Sequence, residues 1–150
     1  MTLDLTDVLL RLGAAALVGV ALGINRDLQD KPMGARTLGL VGLGAASVAV
    51  AAIQYPGMAE NSDAASRVVQ GVVQGIMAGI SFIGAGVILR DSRARTVDGL
   101  TTAATVWVTA ALGIACGLAA WGTVLVATTL ALLLLVGALW LERAMSKQPK

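Results

Sequence analysis

Apolar and polar positions alternate along this chain in long blocks rather than residue by residue. Five apolar runs, at about 8–24, 37–55, 68–89, 99–118 and 122–141, are separated by short polar connections. About 20 apolar residues cross a bilayer as a helix. The pattern therefore predicts an all-α membrane protein with five transmembrane helices, organised as a single transmembrane domain over 1–150. The stretch 71–113 stands out. Its two apolar halves are crowded with small residues, and the nine residues that join them carry five charges. Gly71, Gly75 and Gly79 recur every fourth residue and Gly86 follows seven further on, a spacing that lets helix backbones approach closely. These four are read as helix-packing glycines, and the hairpin that carries them as the buried centre.

The remaining spans add detail. In the first, Gly19 and Gly23 with Ala15 form a small-residue face, and Arg11 is expected to snorkel outward beside Asp7. In the second, Gly42, Ala46 and Ala49 do the same. Pro32 and Gly34 break the chain between them, Pro56-Gly57 ends the second span, and Asn61 with Asp63 offers caps for the third. The run from 99 to 141 is uncharged and too long for one crossing, so a break is expected near 116–122, where glycines flank Trp121. The fifth span, leucine-rich, is expected at the periphery, facing lipid. Trp121 and Trp140, with Tyr55 on the Trp121 side, fit two interfacial aromatic belts.

Composition narrows the class. The chain is 57% hydrophobic and 13% charged, with net charge +2 and no histidine; its mean hydropathy is +0.81. The small net charge argues against nucleic acid. Without histidine, Ser/His and Cys/His nucleophile pairs and imidazole metal ligands are excluded. No cofactor or metal site and no enzymatic activity is expected, and the lone Cys116 reads as a packing residue. Lys and Arg are distributed unevenly: nine lie in the connections after spans one and three and in the tail, and only Arg11 and Arg67 lie on the opposite side. By the positive-inside rule the N-terminus is outside and the C-terminus cytoplasmic.

The first and third spans end alike. Arg26-Asp27 is followed by Gly34 and Thr37; Arg90-Asp91 is followed by Gly99 and Thr102. This suggests a parallel repeat of two hairpins, with the fifth helix peripheral. Asn25, Arg26, Asp27, Arg36, Thr37, Arg90, Asp91, Asp98, Thr101 and Thr102 form a candidate polar cluster at the cytoplasmic ends. Arg26 or Arg36 is expected to approach Asp98 or Asp91 in a partly buried ion-pair network. Arg93 and Arg95 read more simply as headgroup contacts. Within the membrane, Gln70, Gln74 and Ser81 on helix three and Thr105 and Thr109 on helix four form polar stripes. They either line a narrow path or hydrogen-bond locally. Phe82 and Trp107, at similar depth, are expected to touch.

The segments SFIGAGVILRDSRARTVDGLTTAATVWVTAALGIACG and GINRDLQDKPMGARTLGLVGLGAA resemble the MgtC/SapB family of bacterial inner-membrane proteins. Asn25, Ser81 and Asp98 depart from the residues usual there (Glu, Gly and Arg). The resemblance implies a multi-pass protein of the bacterial cytoplasmic membrane with five spans, linked to magnesium homeostasis and stress adaptation. It also implies possible partners among membrane proteins, the F-type ATP synthase being one proposed for some members. Longer members carry a cytoplasmic C-terminal domain, and this chain is expected to be a short form without it. Two functions are weighed. One is modulation of ion or membrane-energy homeostasis by a homo-oligomer, a dimer favoured, that contacts other membrane proteins. The alternative is a small oligomeric ion transporter or channel with a polar path between helices three and four.

Overall fold

The computed structural model of the chain describes residues 3–55, 62–91 and 96–145. Among them are five helices: α1 (Leu5–Asp27), α2 (Ala35–Ile53), α3 (Ser62–Gly86), α4 (Leu100–Gly117) and α5 (Trp121–Met145). A helix falls on each of the five apolar runs. The first four helices are long and apolar enough to cross a membrane, and α5 carries a shorter apolar stretch over Trp121–Gly137. The uncharged run breaks where glycine and alanine replace larger residues: α4 stops at Gly117, Ala119 takes a left-handed φ of 57°, and Trp121 opens α5. The Pro56-Gly57 break and the Asn61 cap lie outside the described residues. One element was not expected. Before α4, β1 (Leu89–Asp91) and β2 (Thr96–Asp98) pair antiparallel, with Leu89 opposite Asp98.

The core is built by α1, α2 and α4. Lipid tails are as apolar as leucine, so helices in a membrane gain little from hiding hydrophobic surface and depend on close packing. Glycine supplies it here. A Cβ added at Gly42 would stand 2.5 Å from the Ala15 carbonyl oxygen on α1 and 3.7 Å from the Thr109 methyl on α4. One added at Gly113 would stand 2.5 Å from the Gly42 carbonyl oxygen. Three backbones thus converge on Gly42. Further along, Gly19 lies against the Leu38 carbonyl and Gly23 against the Ala35 backbone, while Gly117 would place a Cβ 2.7 Å from that of Ala49. The small faces expected of the first two spans are therefore the packed ones. The pairings also fix directions: α1 runs antiparallel to α2 and α4, and α2 and α4 run parallel.

The expected buried centre is half right. In α4, 56% of the span is buried, whereas in α3 the figure is 6%. Gly71, Gly75, Gly79 and Gly86 have no atom within 4 Å of an added Cβ, so among the described residues they meet no packing partner. What α3 turns inward is its large apolar side, Val73, Ile76, Met77 and Ile80, which packs on the core. Glycine spacing identifies a shared face; it does not say which neighbour that face meets. Nor do Phe82 and Trp107 form a buried pair, since Phe82 is 84% and Trp107 50% exposed. Cys116 is fully buried and reduced, a packing residue as expected.

Candidate functional site

The polar cluster gathers at the end of the bundle where α1 finishes and α2 and α4 begin. Ala15, Gly19, Leu22 and Arg26 follow one another at spacings of four, three and four, so they share the face of α1 that meets the core. All four are buried, Arg26 with only 3% of its surface exposed. Its Nη2 donates to the hydroxyl of Thr102 in the first turn of α4, and its Nε is buried with no hydrogen-bond partner. The expected approach of the two helix ends is present, but through a different partner. Arg26 meets a threonine where a carboxylate was expected, and Arg36, the other candidate, is exposed.

A second arginine holds the far end. Arg11 does not reach outward beside Asp7; its Nη1 donates to the Gly117 carbonyl oxygen at 2.8 Å. That carbonyl ends α4, where acceptors lack helical partners and the dipole favours a cation. The interval from Arg11 to Arg26 along α1, roughly 22 Å at 1.5 Å per residue, equals that from Thr102 to Gly117 along α4. The two antiparallel helices are thus stapled at both ends.

The connection out of α1 folds back tightly on Arg26. Its carbonyl oxygen accepts from the N–H of both Gln29 and Lys31 at 3.1 Å. The reversal needs left-handed backbone at Asp30 (φ 51°) and Met33 (φ 66°), positions with no glycine. Asn25 steadies the turn, accepting from Gln29 Nε2 at 2.8 Å through its carbonyl and 2.6 Å through its side chain. Asp27 caps the next helix across the turn: its Oδ2 accepts from the Ala35 N–H at 2.9 Å. Gly34 at the N-cap has no side chain to do so, and a Cβ there would strike the Asp27 carboxylate. Gly99 holds the same place before α4, with φ 90° and a backbone pressed against the Val87 carbonyl. The shared Gly-x-x-Thr spacing therefore has one structural meaning in both places: glycine at the N-cap and threonine (Thr37, Thr102) three positions on.

Arg26 and Thr102 open onto a cleft of about 710 Å³ between α1, α4 and α5. Its polar end is lined by Arg26, Gln29, Lys31, Asp98, Thr101 and Thr102, and Thr105 lies deeper. Its walls are apolar, from Leu22 and Val108 to Ala131, Leu134 and Leu135. Asp98 is exposed and shares the cleft with Arg26. Gln29 and Lys31 are the members that sequence reasoning did not place in the candidate cluster; the signal for them was the short turn after a helix end already singled out. The side chains of Arg90 and Asp91, and all of Arg93 and Arg95, lie outside the described residues.

The intramembrane stripes do not meet. Gln70, Gln74 and Ser81 occupy exposed positions on α3, with the Ser81 hydroxyl donating to Met77 O at 2.8 Å. Thr105 and Thr109 are buried, and each hydroxyl donates to the carbonyl four residues back, at 2.7 and 2.8 Å. The local hydrogen bonding that was one of the two readings accounts for Ser81, Thr105 and Thr109. Among the described residues no group of three or more Cys, Asp or Glu side chains is placed to hold a metal ion.

Comparison with known proteins gives a consistent picture. A model of the MgtC family matches residues 12–144. The chain is 44% identical over 140 residues to Protein SrpB of Synechococcus elongatus, a match covering 89% of this chain and 75% of that one. It is 36% identical over 114 residues to Protein SapB of Bacillus subtilis, covering 74% of this chain and 47% of the relative. It is 37% identical over 124 residues to Protein MgtC of Salmonella typhimurium, covering 83% and 49%. The chain thus spans about half the length of the last two. No solved structure matches.

Proposed function

We propose that this chain, which belongs to the MgtC family, is a non-enzymatic multi-pass protein of the bacterial inner membrane. In this reading it modulates magnesium-linked or membrane-energy homeostasis under stress by contacting other membrane proteins, and it self-associates as a dimer. In the same reading the cleft end faces the cytoplasm, which the Lys/Arg distribution supports, and the two hairpins are a parallel repeat.

One observation carries the protein-contact reading: the sidedness of α3. A helix bordered by lipid ordinarily shows lipid its large apolar residues and keeps polar and small ones inside. Here, over 71–80, Val73, Ile76, Met77 and Ile80 point into the bundle while Gly71, Gln74, Gly75, Ala78 and Gly79 are exposed along one stripe, which gives way to the exposed apolar Phe82 and Ile83 one turn on. Glutamine toward hydrocarbon is unfavourable, and a glycine stripe facing lipid forfeits the close packing it allows. Another protein helix satisfies both. A polar path between α3 and α4 has no comparable support, because the glutamines and the threonines point to different places.

The test is double substitution of Gly75 and Gly79 by Leu, with the oligomer measured in lipid nanodiscs and growth under magnesium limitation measured in cells. The expected result is a folded monomer that no longer supports growth. An unchanged oligomer together with unchanged growth would refute the reading.

A further inference from the structure

We propose that the cleft between α1, α4 and α5 is a binding site for one anionic phospholipid, with its phosphate at the polar end and an acyl chain along the α4–α5 wall. The lining of this cleft includes no residue of α3, and the proposal does not depend on the protein-contact reading.

The electrostatics come first. Arg26 is buried, and among the described residues its hydrogen-bond partner is the neutral Thr102 hydroxyl, with its Nε unpartnered. It also faces the N-terminus of α4, the positive end of that helix, which is where a cation is least favoured. Gly99 at the N-cap contributes no side chain to the first amides of α4, so these donors remain for a ligand. Lys31, held in place by its N–H bond to the Arg26 carbonyl, adds a second cation on the rim. Asp98 is the lone carboxylate among the lining residues, so two cations and a helix N-terminus outweigh it. Among the described residues Arg26 has no paired charge, which is costly for a buried guanidinium, and a phosphate at this end of the cleft supplies the missing anion.

The shape then chooses among anions. A free phosphate would occupy only the polar end of a 710 Å³ cleft and leave Val108, Leu134 and Leu135 facing an empty wall. Leu134 is 73% exposed, so the wall opens sideways toward the membrane, the direction from which a lipid arrives. A headgroup phosphate with an attached chain fits both ends; a soluble anion fits one.

The experiment uses the full chain purified in detergent and mixed with phosphatidylglycerol, phosphatidylcholine or inorganic phosphate. Bound lipid is read by native mass spectrometry and stabilisation by thermal unfolding. Phosphatidylglycerol is expected to be retained at one per chain and to raise the Tm, and phosphatidylcholine to bind about tenfold more weakly. Lys31→Glu, at an exposed turn position, is expected to weaken phosphatidylglycerol about tenfold, and Leu134→Trp to weaken it by crowding the chain. Arg36→Glu, also exposed but away from the cleft, is expected to change nothing. Equal retention of the two lipids would overturn the role of charge. Equal effects of Lys31→Glu and Arg36→Glu would overturn the location. Stabilisation by inorganic phosphate as large as that by phosphatidylglycerol would show a soluble-anion site and overturn the lipid.

Discussion

The helix seam makes a sharp prediction about two glycines that look equivalent in sequence. Gly113→Ala places a methyl 2.5 Å from the Gly42 carbonyl oxygen and 3.0 Å from the Ala45 Cβ. Ordinary contact needs about 3.5 Å, so α4 must retreat from α2 by roughly 1 Å. A gap of that size forfeits up to about half of the dispersion well for each atom pair along the seam. The carbonyl cannot yield, because Gly42 is itself wedged between α1 and α4. Overpacking of this kind costs about 1–3 kcal/mol. Gly75→Ala meets nothing within 4 Å and removes a glycine from the middle of a helix, which stabilises by about 0.5–1 kcal/mol. The two variants should therefore differ by about 1.5–4 kcal/mol, with opposite signs. Reversible unfolding in mixed micelles, under conditions where the wild type is monomeric, measures it. Equal stability of the two variants would refute the assignment of the seam to α1, α2 and α4.

At the other end of α4, Thr102→Val leaves the Arg26 guanidinium with a lost acceptor and should cost about 1–3 kcal/mol in the same assay, while Arg36→Ala should stay within about 0.5 kcal/mol. The proposed orientation predicts that a reporter fused after Lys150 is active only when it is of the kind that works in the cytoplasm; activity of a periplasm-dependent reporter would reverse it.

The apolar runs placed the five described helices, because a long apolar segment satisfies its own backbone polar groups as a helix. The break at Ala119 was legible too: an uncharged run longer than one crossing must turn where small residues permit. Which helix sits in the middle was not legible. Gly71, Gly75 and Gly79 have the same spacing as the pair Gly113 and Gly117, yet among the described residues only the latter pair meets a neighbouring helix. The distinguishing feature lies across the helix, in the large apolar residues of α3 that compete for the interior. The candidate site was readable in part. The spacing from Ala15 to Arg26 marks the arginine as core-facing, but attention to charge led to carboxylate partners. Thr102 is the partner because the antiparallel register of α1 and α4, fixed by distant glycines, brings that residue opposite.

The central position of α4 has a consequence for how the chain is made. The close contacts between α1 and α2 can form once Ile53 has emerged, but their third side is completed only by residues up to Gly117, roughly 60 positions later. At about 5–20 residues per second, that interval lasts about 3–12 s. Throughout it, the newborn hairpin presents Gly42, Ala46 and Ala49 to whatever surrounds it. α3 reaches the membrane before α4 does, with its own large apolar side uncovered. The chain therefore completes its interior from the fourth helix, leaving an interval in which insertion factors, lipids or a second nascent chain have access to surfaces that are closed in the finished fold.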